Sequence, residues 1–220
     1  MMLNKKTHRG FTLIELLVSI SIFIVFLGII SQSYVGIVRA QRQANTVRKT
    51  YSEVRNVMET LAQDVRLNTP DYDCYEQKQD LHLCPADIIN FLLNQNQRYL
   101  ILTNQDKTAK IVYRFNDANA MIEVKHYQKT NDVWEAQANQ GEETEDGFQL
   151  LLSKEIKVKN LNFVLYPLKN PYSQSHYAES QYQFQPQVKV FMTIESTREN
   201  LPPFVIHLQT SFSSRVYSRK

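Results

Sequence analysis

The chain has 220 residues, 43% apolar and 21% charged, enough for one sizeable domain or a domain plus an anchor, and too apolar for a disordered polymer. Its five glycines, Gly10, Gly28, Gly36, Gly141 and Gly147, are too scattered for a P-loop or a G-x-G-x-x-G turn, which excludes nucleotide enzymes of those classes. Two cysteines are too few for a disulfide scaffold or a four-cysteine zinc site, and the formal net charge of +3 hints at an acidic partner such as nucleic acid or a membrane surface.

The first element is a short basic leader, residues 1–10, which carries Lys5, Lys6 and Arg9 and no acid. Leu16 to Val38 then runs 23 residues without a charge. At about 1.5 Å per helical residue such a run crosses the roughly 30 Å hydrocarbon core of a bilayer, whereas the apolar core of a removable secretory signal is usually only about 7–15 residues. The basic flank reads as cytoplasmic, but Arg39, Arg42, Arg48 and Lys49 lie just past the other end, so charge bias alone does not fix the orientation. Glu15 borders the apolar run, where a carboxylate is costly and calls for a partner. Cleavage after Gly10 would place the new amine of Phe11 one helical turn away, and a neighbouring copy would offer its amine in the same way.

The residues Arg9-Gly10-Phe11-Thr12-Leu13-Ile14-Glu15-Leu16-Leu17-Val18 resemble the class III signal of type IV pilins and of the pseudopilins of type II secretion. The resemblance implies that a prepilin peptidase cleaves between Gly10 and Phe11 and methylates the Phe11 amine. It further implies that Glu15 guides assembly by pairing with an adjacent subunit's amino terminus, and that the remainder faces outward from a bacterial inner membrane.

Beyond the apolar run, Ala40, Ala44, Val47, Tyr51, Val54, Met58, Leu61 and Val65 recur at spacings of four and three, which predicts an amphipathic helix face. No proline interrupts residues 11 to 69, and Pro70 disfavours helix at the residue before it. One helix of about 57 residues follows, with a two-stranded coiled coil as the alternative for its second half. Major pilins often carry a proline in the membrane half; here Gln32 stands in that region, and Gly28 and Gly36 are the positions of lowest helix propensity.

From Pro70 onward the period becomes two, with strand-like runs at Tyr99 to Thr103, Lys110 to Phe115, Met121 to Tyr127, Ile156 to Tyr166, Gln187 to Glu195 and Phe204 to Ser211. Short intervals between several of them predict antiparallel hairpins, with a turn at Asn116-Asp117-Ala118-Asn119. Val188, Val190, Met192 and Ile194 form one apolar face opposite Lys189, Thr193 and Glu195, as in a sheet buried on one side, for which the stalk stripe is the natural cover. Ile88 to Leu93 reads equally as a short helix or a strand. The expected fold is therefore α+β and pilin-like, divided into a cleaved leader 1–10, a transmembrane and assembly helix 11–38, an amphipathic stalk 39–69 and a β-rich head 70–220.

The head is large for the family, and Val57-Met58-Glu59-Thr60-Leu61-Ala62-Gln63-Asp64-Val65-Arg66 is similar to the corresponding segment of J-type minor pseudopilins and W-type minor pilins. Cys74 and Cys84 flank a polar segment, and an outward-facing domain lies in an oxidising compartment, so a disulfide is the favoured reading. A zinc site with His82 is the alternative, though Cys-x7-His-x-Cys lacks a fourth ligand nearby. Glu142, Glu143, Glu145 and Asp146 offer oxygen ligands for calcium but read more simply as a solvated turn. Asn170 to Gln185, with Tyr172, His176, Tyr177, Tyr182 and Phe184, is either a contact surface or a loop packing its own aromatics. His8, His82, His126, His176 and His207 are dispersed, and neither G-x-S-x-G nor H-E-x-x-H occurs, so no enzyme and no cofactor is expected.

These readings converge on a single-pass minor pilin or pseudopilin that initiates or caps a filament, with prepilin peptidase, other pilin subunits, an inner-membrane assembly platform and lipid as partners. A major fibre-forming pilin, or a tip pilin that binds DNA or a surface, is the alternative. The basic charge itself belongs to the leader: without residues 1–10 the chain has 22 basic against 22 acidic side chains. Residues 39–67 hold six bases and three acids, a basic neck suited to lipid head groups, and the support for a nucleic-acid partner disappears.

Overall fold

A computed structural model describes residue 10, residues 12–76, 84–85, 98–138, 142–171, 173, 185–196 and 203–215. Ile88 to Leu93, His82 and most of Asn170 to Gln185 lie outside the described residues. The chain divides into two compact units, residues 1–49 and 50–220, and a single helix, α1 (Leu13–Leu67, 55 residues), supplies residues to both.

In the first unit α1 runs unbroken through Gly28 and Gly36, around which there is open space. Its large apolar side chains from Leu13 to Ile37 are exposed, a surface that water does not tolerate at this extent and that lipid or neighbouring helices must cover. Hydroxyls in this stretch turn back on the helix: Ser21 Oγ donates to Leu17 O at 2.9 Å and Ser33 Oγ to Ile29 O at 2.9 Å, so neither asks for a polar partner outside.

The second unit is built from the last turns of α1, a five-residue helix α2 (Tyr72–Glu76) and two antiparallel sheets. The larger sheet has the order β1 (Thr69–Pro70), β2 (Tyr99–Thr103), β3 (Ala109–Asn116), β4 (Met121–Thr130), β5 (Val133–Ala136), with β6 (Gln149–Leu150) also on β4. The smaller has the order β7 (Ile156–Tyr166), β8 (Gln187–Ser196), β9 (Val205–Ser213). All six expected strand-like runs form strands, and the α+β, pilin-like architecture of a long helix packed with antiparallel sheets is present.

Local chemistry explains the turns. Asn116 Oδ1 accepts from Ala118 N at 3.0 Å, an Asx turn joining β3 to β4. Asn131 and Asp132 both have positive φ, 50° and 62°, the geometry of the two-residue hairpin that matches strand twist, and they join β4 to β5. In β7 an irregularity between Val158 and Asn160 shifts the inward positions from Ile156 and Val158 to Leu161 and Phe163, which keeps apolar side chains inside despite the odd spacing.

The main core joins three layers: Val54, Val57, Leu61 and Val65 of α1; Leu100, Leu102, Tyr113 and Phe115 of the larger sheet; and Val158, Leu161, Val190, Met192 and Ile194 of the smaller. The apolar face read on β8 is thus buried. One expectation needs correction. The helix stripe is displaced, because Ala40, Ala44 and Tyr51 are exposed and Met58 only half-buried, while Thr50 and Val57 are buried. Positions seven apart show why: Ala44, Tyr51, Met58 and Val65 pass from exposed through half-buried to buried, since a helix of 3.6 residues per turn drifts about 20° per heptad. The larger sheet, for which the sequence suggested no cover on its second face, is buried on both faces at β2. β2 is buried at every residue, with Leu100 and Leu102 in the main core and Tyr99 and Ile101 in a second cluster with Cys74, Cys84, Val112, Tyr127 and Phe148.

Candidate functional site

The amino end of α1 is held by a reciprocal cap. Glu15 N donates to Thr12 Oγ1 at 3.3 Å, and Glu15 Oε2 accepts from both Thr12 N and Thr12 Oγ1 at 3.0 Å. This is a capping box, legible as Thr12-x-x-Glu15, and it satisfies donors that the first helical turn would otherwise leave idle. The acid is thus engaged by its own helix terminus through one oxygen, Oε2. Among the described residues Oε1 accepts no hydrogen bond, which leaves it open to an external donor. Gly10 is exposed with open space around it, and Phe11 lies outside the described residues.

Cys74 and Cys84 are joined as a disulfide with their Cα atoms 5.1 Å apart, and both are fully buried. The bridge holds α2 against the outer face of the larger sheet. Asp71 starts that helix by accepting from Cys74 N at 3.2 Å, and it also accepts from the buried Lys110 ammonium of β3. Burial pushes the Asp71 carboxyl above its usual range, against the pull of Lys110, and pushes Lys110 below its own. Tyr75 stitches the helix to β2, accepting from Ile101 N at 2.9 Å and donating to Tyr99 O at 3.3 Å.

The acidic run is drawn into ion pairs. Lys154 pairs with Glu142, and Arg114 Nη2 reaches Asp146 Oδ2 at 3.1 Å. Arg114, buried, also pairs with the fully buried Glu123 opposite it on β4 and lies 3.6 Å over the Phe148 ring. Glu123 accepts in addition from Asn116 Nδ2 at 3.0 Å. Sequence reasoning missed this arginine–glutamate–phenylalanine arrangement; the one signal was charge on a shared face of the two strands, Lys110 and Arg114 of β3 and Glu123 and Lys125 of β4, which reads as a solvated face until something covers it. Among the described residues no group of three or more His, Cys, Asp or Glu side chains is placed to hold a metal ion.

At the far end of α1, Tyr113 of β3 donates to Asp64. Burial pushes the Asp64 carboxyl above its usual range, opposed by the Tyr113 hydrogen bond and by the charge of His126. The helix end is closed by the last strand: Arg215 N donates to Arg66 O at 3.1 Å and Ser214 Oγ to Asn68 O at 2.8 Å, satisfying carbonyls that a helix terminus leaves open. His207 meets Thr193 at 3.0 Å on the smaller sheet, so His126 and His207 each have a local role and are not brought together.

Comparison with known proteins places one feature on this geometry. The family described as the prokaryotic N-terminal methylation motif matches residues 5–31, a segment that contains Gly10, Phe11, the capping box and the start of the apolar helix. With the long apolar α1 that follows, the match is consistent with a type IV pilin-like protein, whose motif marks a processed structural subunit rather than a known enzyme. The same helix is consistent with membrane anchoring. No curated protein and no solved structure matches the chain.

Proposed function

We propose that this chain is a minor pilin or pseudopilin subunit that enters a type IV pilus or type II secretion-like filament through α1 and initiates or caps it. The observation that carries the reading is the methylation motif at residues 5–31 on a helix whose first half exposes a long series of large apolar side chains. In this reading a prepilin peptidase cuts between Gly10 and Phe11 and methylates the new amine. The free Oε1 of Glu15 then receives the amine of the adjacent subunit, in an environment where an unpaired carboxylate is costly.

The leader lies on the cytoplasmic side of a bacterial inner membrane and the 50–220 unit on the other, where the Cys74–Cys84 bridge is stable. The size of that unit and the sequence ending in Asp64-Val65-Arg66 favour a minor over a major subunit. Partners are other pilin subunits, the assembly platform and lipid, with no nucleic acid.

Mass spectrometry on the membrane fraction of cells expressing the full chain tests the processing step. The expected amino-terminal peptide begins at methylated Phe11, and a mature protein that retains residues 1–10 rejects the reading. Quantification of sheared filaments tests the minor role, which fails if this chain is the dominant component.

A further inference from the structure

In the 50–220 unit, α1 and β9 flank an open groove of about 890 Å³. Tyr51 and Met58 line it from the helix, and Leu208, Thr210 and Phe212 from the strand. Two further features distinguish it from a simple apolar trough.

One is an idle backbone edge. β9 pairs with β8 along one side, and no described strand pairs with the other. Ser214 N donates to Pro186 O and Ser196 N to Phe204 O, so in this antiparallel register the even-numbered residues of β9 exchange hydrogen bonds with β8. The alternation of the ladder then turns the N–H and C=O groups of Val205, His207, Gln209 and Ser211 outward. Such an edge is a template for another strand.

The other is charge. The charged residues lining the groove are Arg55, Glu59, Arg66 and Arg215. Arg55 Nε and Glu59 Oε1 pair at 2.7 Å, and among the described residues the exposed guanidinium groups of Arg66 and Arg215 have no acidic partner. The two residues sit together at the carboxyl end of β9, where Arg215 N donates to Arg66 O at 3.1 Å.

We propose that the groove receives an extended segment of another protein, added as an antiparallel strand along the outer edge of β9. The segment is apolar at alternate residues and acidic at its amino-terminal end. Backbone hydrogen bonds to the edge supply affinity, and alternate side chains enter the apolar trough. Antiparallel pairing brings the amino-terminal end of the added strand to the carboxyl end of β9, so its carboxylates meet two planar, permanently charged forks. A helical ligand would satisfy its own backbone and leave the edge unused. The proposal is independent of the filament reading.

Fluorescence anisotropy with the full chain in lipid nanodiscs tests it. The probe is a labelled ten-residue peptide with two aspartates at its amino end followed by alternating valine and threonine. One control peptide carries lysines in place of the aspartates, and another has a proline in its middle. Saturable binding of the aspartate peptide is expected, with at least about tenfold weaker binding of both controls. The double substitution Arg66→Glu with Arg215→Glu is expected to weaken the aspartate peptide about tenfold. Gln209→Pro removes an outward N–H that serves no ladder bond and is expected to abolish binding; if that variant does not fold, the arginine variant decides. Equal binding of the three peptides, binding that survives the arginine substitutions, or no saturation up to 1 mM overturns the proposal. Dimerisation without peptide that Gln209→Pro abolishes assigns the edge to a second copy and overturns it as well.

Discussion

If the proposed assembly reading holds, Glu15 has two roles at one residue, and they are chemically separable. As the third residue of the capping box it needs only an acceptor oxygen to receive Thr12 N; as a partner for a neighbour's amine it needs a charge. Glu15→Gln keeps the acceptor and removes the charge, whereas Glu15→Val removes both. Both variants are expected to be cleaved like the parent, as followed by amino-terminal peptide mapping, and both to lose filament incorporation. Only the valine variant is expected to fray the first turn, at a cost of about 1 kcal/mol. Normal incorporation of the glutamine variant would show that the cap, not the charge, matters. Asp64 offers a second residue-scale prediction. Its carboxyl sits above its ordinary range because of burial, so the folded state binds its proton more tightly than the unfolded chain does. The group's contribution to stability is full below the ordinary carboxylate value near 4 and is lost as pH rises through the raised folded value. Asp64→Asn removes that dependence while leaving an acceptor for Tyr113, so urea unfolding from pH 4 to 7 is expected to shift progressively in favour of the variant. A constant difference across that range would reject the assignment.

Elements show where chain-local rules reach their limit. The six strand-like runs were readable because period-two alternation and short intervals are local properties, and all six are strands in antiparallel pairs. β5 was readable only in principle, through Asn131 and Asp132, whose tolerance of positive φ marks a tight hairpin. The second cluster was not readable, because residues distant in sequence, Cys74, Ile101, Val112 and Phe148, meet only after the sheet forms. The disulfide ties that cover down. Replacing both cysteines by serine is expected to cost about 2–3 kcal/mol from the lost constraint on a short loop, seen as a lower urea midpoint for the full chain in detergent. An unchanged midpoint would mean that the α2 contacts, among them the Tyr75 hydrogen bonds, suffice without the bridge.

The whole molecule is two units on one helix with opposite solvent demands. Among the described residues both core clusters lie at or beyond Val54, inside the 50–220 unit. A chain of residues 50–220 is expected to remain in solution and to unfold in one cooperative step, with fluorescence and circular dichroism transitions coinciding. Non-coincident transitions would show that the earlier turns of α1 are needed for the fold. The first unit has no comparable core, and its exposed leucine, isoleucine, valine and phenylalanine side chains require lipid or neighbouring helices.

Taken alone, the sequence determined the features that depend on order along the chain: the N-terminal methylation motif, the length and apolarity of α1, the strands and their hairpins, and the origin of the net positive surplus in residues 1–10. These are legible because a methylation motif, a helical period and a strand period are all properties of neighbours in sequence. Tertiary structure decided which side of α1 is buried, that the larger sheet is covered on both faces, that Arg114, Glu123 and Phe148 close over one another, and that no described strand pairs the outer edge of β9 beside Arg66 and Arg215. Each of those depends on segments tens of residues apart coming together. Burial and charge pairing are properties of that meeting, and no local pattern encodes them.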